Sequence, residues 1–250
     1  MSAETLLTAR KITKTFGRFV ALAGVTLDLR RGERRALIGP NGAGKTTFIS
    51  VLGGQQAADP GGEILFEGRD ITRAPPQALA RMGIGRTFQV SRTFAKLSVF
   101  ENMVAALVPQ AGAYSLRRSG ISRLADAAMH MLEEIGLAGH AGMAAETISL
   151  ADRKRLEFGM VLATDPRLLL LDEPTAGMGL GERGELMEMM MRHVRGRGVT
   201  LLFVEHDIDM VFRYADTITV MARGSVFAEG PPDAIAADPA VQDIYLGARH

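Results

Sequence analysis

Between residues 5 and 31 apolar side chains fall at every second position, as at Val25, Leu27 and Leu29, which is the period of a half-buried strand. Gly17 and Arg31–Gly32 punctuate this stretch into two or three strands. A short apolar run at 34–40, RRALIGP, then reads as a buried strand, and TTFISVLGG after it reads as a helix with Phe48, Ile49, Val51 and Leu52 as its apolar residues. Glu63 to Phe66 form a further strand closed by a turn at Glu67–Gly68, and Pro75–Pro76 open a helix to about Arg81. From about 90 to 165 the period changes to helical. Residues 98–107 carry Ser98 as N-cap with Glu101 at the capping-box position. Residues 108–124 are richer in Gly, Ser and Arg and read as a loop or a short, poorly packed helix. Residues 122–137 place Leu124, Ala128, Met131, Leu132 and Ile135 on one side of a helix that Gly136 ends, and Ser149 caps another. Strand patterns return at 168–171, four leucines in a row, and at 199–204, with a helix over 182–195 between them. A hairpin follows at 217–229, turning at Arg223–Gly224, and then a helical tail with a short end segment. The pattern is that of an α/β protein whose strand-rich ends flank a helical block.

The candidate chemistry sits at the ends of these strands. Residues Gly39 to Thr46 read GPNGAGKT and fit the phosphate-binding pattern G-x-x-x-x-G-K-[ST]. Strand, loop and helix follow in the order this motif requires. Gly39, Gly42 and Gly44 let the backbone turn tightly and bring N–H groups to phosphate oxygens, and the helix start adds its positive end. Lys45 supplies a charge to the β and γ phosphates, and the Thr46 hydroxyl is a ligand for Mg²⁺. Over a hundred residues later the leucine strand ends in Asp172 and Glu173, where ligands of open α/β sheets bind. Asp172 is expected to hold Mg²⁺, directly or through water, and Glu173 to polarise the water that attacks the γ-phosphate. His206 is expected to sit where Glu173 sits in the preceding unit, in reach of the γ-phosphate. Gln89, at the end of a strand-like stretch, offers an amide to Mg²⁺ or the attacking water, although a glutamine standing alone is as well a surface residue. Phe16, before the first turn, serves either to stack on adenine or as strand core.

Bulk properties narrow the class. The chain has 250 residues, 47% of them hydrophobic and 23% charged, enough for one large domain or two small ones. A net charge of +1 does not by itself point to a polyanion partner, and the lack of cysteine excludes thiol catalysis, disulfides and thiolate metal sites. The first residues, MSAETLLTARKITKTF, are expected not to be a signal peptide, and no apolar run approaches the roughly 18 residues of a membrane span. If the protein works at a membrane, it works from the side. Arg153, Lys154 and Arg155 oppose the helix dipole near Ser149, which calls for an anionic partner or a nearby carboxylate.

GPNGAGKT, Gln89, ISLAD, LLLLDEP and VEHD, in this order, resemble the ATP-binding subunit of an ABC transporter over essentially the whole chain. The resemblance implies a single ABC ATPase domain over 1–250: a P-loop NTPase fold with a RecA-like nucleotide-binding core at 1–88 and 166–250, an antiparallel β-subdomain, and a helical subdomain at 89–165. KITKTFG, RTFQ, DRKRLE, VEHD and the AEGPPDAI…YLG ending resemble the ATPase subunits of branched-chain amino acid importers and of related amide or urea importers. By that resemblance ATP and Mg²⁺ are bound, with nucleotide contacts from Phe16 as the adenine-stacking aromatic, from Gly39, Pro40, Asn41, Gly42, Ala43, Gly44, Lys45, Thr46 and Thr47, and from Ser149, Ala151 and Asp172. Thr46, Gln89 and Asp172 serve the metal. Glu173, His206, Gln89 and Lys45 serve catalysis, with His206 as the switch histidine and Gln89 in the loop that senses the membrane subunits.

The implied partners are integral-membrane permease subunits, a second ATPase subunit and, indirectly, a solute-binding protein, but no nucleic acid. The implied location is cytoplasmic, peripheral on the inner face of the cell membrane. One departure stands out. The signature, Leu-Ser-Gly-Gly-Gln or Leu-Ser-Tyr-Gly-Asp in such proteins, is here Ile148, Ser149, Leu150, Ala151 and Asp152. Two subunits sandwich ATP in this family, so the Ala151 methyl bears on the partner's site and leaves this chain's own Lys45, Glu173 and His206 intact. The loop at Ala176 to Gly179 also departs from the commoner Ser-Ala-Leu-Asp. A soluble ABC ATPase acting on nucleic acid or ribosomes predicts tandem cassettes, a coiled-coil insertion or a basic surface, which this chain lacks. A nucleotide-binding regulatory subunit with weak hydrolysis is favoured by Ala151 alone. A lipid or lipopolysaccharide export ATPase has similar cassettes, and the transported substrate is not encoded in this chain.

Overall fold

The computed structural model describes residues 4–87, 93–111 and 118–246. Its chain forms two units, one of Met1–Ile84, Arg167–Glu173 and Val194–His250, the other of Gly85–Pro166 and Pro174–His193.

The first unit holds most of the sheet structure. The alternating stretch at its start is two long strands, β1 (Thr5–Phe16) and β2 (Phe19–Arg30), paired antiparallel. Leu7, Ala9 and Ile12 from β1 and Leu22, Val25, Leu27 and Leu29 from β2 are buried, so the period-2 pattern points into the core as the sequence predicts. After β3 (Arg34–Ile38) and α1 (Lys45–Leu52) come β4 (Glu63–Phe66) and β5 (Arg69–Asp70). β1, β2, β4 and β5 form a four-stranded antiparallel sheet in the order β2-β1-β4-β5.

A second sheet takes β3 as its centre. After α2 (Pro76–Arg81) and β6 (Ile84–Arg86), the described residues of the other unit contribute three α-helices: α3 (Val99–Ala111), α4 (Arg118–Glu134) and α5 (Leu150–Leu162). The chain then runs through β7 (Leu168–Asp172), α6 (Leu180–Arg197), β8 (Thr200–Val204), α7 (Ile208–Tyr214), β9 (Thr217–Ala222) and β10 (Ser225–Gly230). The order is β10-β9-β3-β8-β7-β6, with β9, β3, β8 and β7 parallel. Every residue of β7 and β8 is buried, as unbroken apolar runs require in a sheet covered on both faces. The parallel ladder brings the carboxyl ends of β3, β8 and β7 side by side. The tail is two short helices, α8 (Pro232–Ala237) and α9 (Pro239–Leu246), rather than one helix and a segment, because Pro239 starts a new first turn.

In the second unit α3 begins with the expected capping box. Glu101 N–H donates to Ser98 Oγ at 3.1 Å, and Ser98 N–H donates to Glu101 Oε2 at 2.8 Å. α3 runs on to Ala111 through Pro109, and α4 starts at Arg118, so both helices reach into the stretch whose Gly, Ser and Arg content reads as a loop or a short, poorly packed helix. Ala128, Met131, Leu132 and Ile135 of the predicted amphipathic face are buried. Arg155, in the second turn of α5, finds a neighbouring carboxylate, Glu185 at 3.5 Å.

One expectation is corrected by the ladder. β7 and β8 pair with Asp172 opposite Val204, which sets Glu205, not His206, level with Glu173. The apolar run of β7 stops one residue before its strand does, since buried Asp172 still belongs to the ladder, and an alignment on the apolar runs therefore slips by one.

Candidate nucleotide site

The phosphate-loop sequence links the end of β3 to the first turn of α1. Gly44 is the N-cap at φ 98°, in the left-handed region that only glycine adopts freely. Space makes the same demand. A Cβ on Gly39 would lie 2.1 Å from the Met221 carbonyl oxygen, and one on Gly44 would lie 2.5 Å from that of Ala21. The loop can therefore hug β2 and β9 only because these positions lack side chains. Lys45, 6% exposed, folds back and donates from Nζ to the carbonyls of Gly39 at 2.7 Å and Pro40 at 3.1 Å. Burial pushes its ammonium below the usual lysine range, against the opposing pull of the Glu173 and Asp172 charges.

Two carboxylates come from the end of β7. Asp172 is 1% exposed and accepts a hydrogen bond from the Thr46 hydroxyl, Oγ1 to Oδ1 at 3.2 Å. Glu173 follows at φ 50°, a strained value for a non-glycine residue, and its N–H donates to the Val204 carbonyl at 3.0 Å. This turn ends the strand and carries the Glu173 carboxylate over to β8. There Glu173 Oε1 lies 2.8 Å from His206 Nε2, although His206 is one residue beyond the level expected of it.

A cleft is lined by Asn41 to Thr47, Glu173 and His206, together with Phe19 and Ala21 of β2. The structure thus brings together the phosphate loop, Asp172, Glu173 and His206 as the sequence grouped them. Phe16 is half exposed, has Lys14 Nζ 5.3 Å from its ring centroid, and is not among the lining residues. Its cross-strand partner Phe19 lines the cleft instead. Nothing in the sequence marks Phe19 or Ala21, because alternation across a hairpin does not tell which of two aromatic residues at its tip turns towards the loop. Gln89 lies outside the described residues. Ser149 and Ala151 belong to the other unit, at the start of α5, where Ser149 Oγ accepts from the Asp152 N–H at 3.0 Å and donates to its carboxylate at 2.8 Å. Among the described residues no group of three or more His, Cys, Asp and Glu side chains could hold a metal ion by itself, and Thr46 and Asp172 place two oxygen donors side by side next to the loop.

The family profile of the ABC transporters matches residues 22–176. The chain belongs to the ABC transporter family. A second profile, described as a branched-chain amino acid ATP-binding cassette transporter, matches residues 225–250 of this ABC protein. Among similar proteins is the probable branched-chain amino acid transport ATP-binding protein LivG of Archaeoglobus fulgidus, 36% identical over 98% of the chain and 96% of the relative. The high-affinity branched-chain amino acid transport ATP-binding protein LivG of Escherichia coli is 37% identical over 98% of the chain and 99% of the relative. Of the solved structures, the ADP conformation of an ATP-binding cassette of an ABC transporter is 32% identical with a TM-score of 0.82, covering 98% of this chain and 99% of that one. The fold is that of a P-loop ABC cassette, it binds nucleotide, and its activity is ATP hydrolysis coupled to transport. Among the described residues no helix is long and apolar enough to cross a membrane, and membership of this family implies partner subunits that do.

Proposed function

We propose that this chain energises a membrane importer for branched-chain amino acids or similar small polar solutes, hydrolysing ATP at the cleft above β3, β7 and β8. The observation that carries the catalytic part of the reading is the Glu173–His206 contact at 2.8 Å on the lip of the phosphate loop. The match at 225–250 and the names of the relatives support the substrate class.

The residues divide the work. The loop N–H groups between Gly39 and Thr47 and the start of α1 wrap the phosphates of ATP, and Lys45 leaves its two carbonyl acceptors to meet the β and γ phosphates. Thr46 and Asp172, with Gln89, would hold Mg²⁺; two hard oxygen donors side by side suit an ion that takes one or two protein ligands plus phosphates. When bound, this ion neutralises charge that develops on the phosphate oxygens. Glu173 accepts the proton of the attacking water, and His206 holds that carboxylate in place and reaches the γ-phosphate. Phe16, at the hairpin tip, offers a ring face to adenine. The core at 1–88 and 166–250 performs this chemistry, and the helical part at 89–165 carries Ser149 and Ala151 towards the nucleotide of a second ATPase subunit. Gln89 senses the permease subunits, which a solute-binding protein feeds. The work is done at the cytoplasmic face of the membrane, and no nucleic acid takes part.

The test is ATP turnover and binding by the purified chain and by Glu173→Gln and Lys45→Ala. Glu173→Gln is expected to lower turnover about 10²- to 10⁴-fold while still binding ATP, and Lys45→Ala to lose binding. Turnover unchanged in Glu173→Gln, or no ATP binding by the unaltered chain, overturns the reading.

A further inference from the structure

The hairpin of β9 and β10 lies far from the phosphate loop in sequence, yet it is fastened along the element that carries the loop. At one end, Arg35 of β3, buried, donates to Glu229 of β10 at 2.5 Å and to Glu33 at 2.9 Å. Along the middle, β9 pairs with β3 from Arg35↔Thr217 to Ile38↔Val220. At the other end the turn at Arg223–Gly224 touches the loop itself. Gly224 N–H donates to the Ala43 carbonyl at 3.1 Å, and the Gly224 carbonyl accepts from Ala23 N–H of β2 at 2.8 Å.

The bond to Ala43 has a consequence for the cleft. A trans peptide is planar, and its C=O and N–H point in opposite directions. With the Ala43 carbonyl held by the turn, the N–H of the same peptide, that of Gly44, is directed the opposite way. Ala43, Gly44 and Lys45 all line the cleft. We infer that Gly224 is a positioning residue of the nucleotide site: its N–H on the Ala43 carbonyl sets the peptide that presents the Gly44 N–H to a phosphate, and couples phosphate binding to the C-terminal hairpin. The inference rests on the reading of the cleft as an ATP site. Glycine is required at 224 on two counts, a φ of +79° and the 2.8 Å that would separate a Cβ from the Ala21 carbonyl oxygen. Arg223 beside it also has a positive φ, 49°, so the turn is held in a costly shape.

Gly68 supplies the control. It occupies another hairpin turn, between β4 and β5, at φ +74°, and a Cβ there would meet nothing within 4 Å. Gly68→Ala therefore carries a similar backbone strain without a tie to the loop. Both Gly224→Ala and Gly68→Ala are expected to lower the melting temperature. Only Gly224→Ala is expected to weaken equilibrium ATP binding, by about five- to tenfold, the scale of one lost hydrogen bond. Equal affinity in the two variants overturns the inference. Should Gly224→Ala fail to fold, hydrogen exchange of the unaltered chain decides: ADP is expected to slow exchange across 222–226, and exchange unchanged by ADP overturns the coupling. If neither the unaltered chain nor Gly68→Ala binds ATP, the nucleotide-site reading itself falls, and this inference with it.

Discussion

The Thr46 hydroxyl donates to the Asp172 carboxylate at 3.2 Å, joining the first turn of α1 to the end of β7 across 126 positions of sequence. Each supplies one oxygen that suits a hard cation. Thr46→Val and Asp172→Ala are expected to remove most of the tightening of ATP binding that Mg²⁺ produces, while Mg²⁺-free binding changes by about threefold or less. Because the two side chains are in contact, their effects should not add in the double variant. Titration of ATP with and without Mg²⁺ reads this directly, and additive losses would count against a shared ion.

Lys45 gives a pH dependence of known sign. Burial lowers its pKa from the ordinary 10.5, so the folded chain holds this proton less tightly than the unfolded chain. Stability therefore rises with pH through the window between the lowered folded value and 10.5, and the burden is fully present below that window. Lys45→Met removes the titrating group. In melting experiments across the alkaline range, the unaltered chain is expected to gain on Lys45→Met as pH rises. A difference that stays flat with pH would contradict the burial of a charged ammonium.

Ala151 occupies the second helical position of α5, after the Ser149 cap. Ala151→Gly restores the usual family glycine there and removes a methyl that, in the proposed assembly, faces a partner's phosphate. The chain itself should lose about 0.5–1 kcal/mol of stability, since glycine in a helix costs more conformational entropy. ATP turnover of the assembled transporter is expected to rise. Unchanged turnover with the same loss of stability would show that the methyl is absorbed by the interface.

Asn102 is fully buried and secures the segment before α3. Its Oδ1 accepts from the Phe94 N–H at 2.7 Å, and the two hydrogens of its Nδ2 are shared among the carbonyls of Phe94, Leu97 and Ser98 at 3.1, 3.3 and 2.9 Å. Asn102→Leu keeps the volume and strips the Phe94 N–H of its acceptor, while the three carbonyls keep the backbone N–H groups of Leu97, Ala145 and Asn102. It is expected to destabilise the helical unit by about 2–3 kcal/mol, measured by hydrogen exchange of α3 and α5. A loss below about 0.5 kcal/mol would mean that the segment is held by its other contacts.

Much of the site could be read along the chain because each part of it is local. GPNGAGKT is recognisable from its own eight residues, and the Ser98–Glu101 and Ser149–Asp152 caps close over three. Leu168 to Leu171 and Leu201 to Val204 announce buried strands by composition alone, and the polar residues after them announce a site at the strand ends. The sequence by itself determined these elements and the candidates Lys45, Thr46, Asp172, Glu173 and His206, because backbone geometry and apolar period act within a few residues.

Only the tertiary structure decided which of them meet and at what level. The parallel ladder, set by side-chain packing between strands, put Glu205 level with Glu173 and left His206 to reach Glu173 from one residue further on. The packing of the hairpin tip turned Phe19 into the cleft. The order β10-β9-β3 laid the Gly224 turn on Ala43, and the burial of Asn102 gave an unremarkable amide four backbone partners. These are contacts between residues that no local period relates, and their geometry exists only once the strands have found their neighbours.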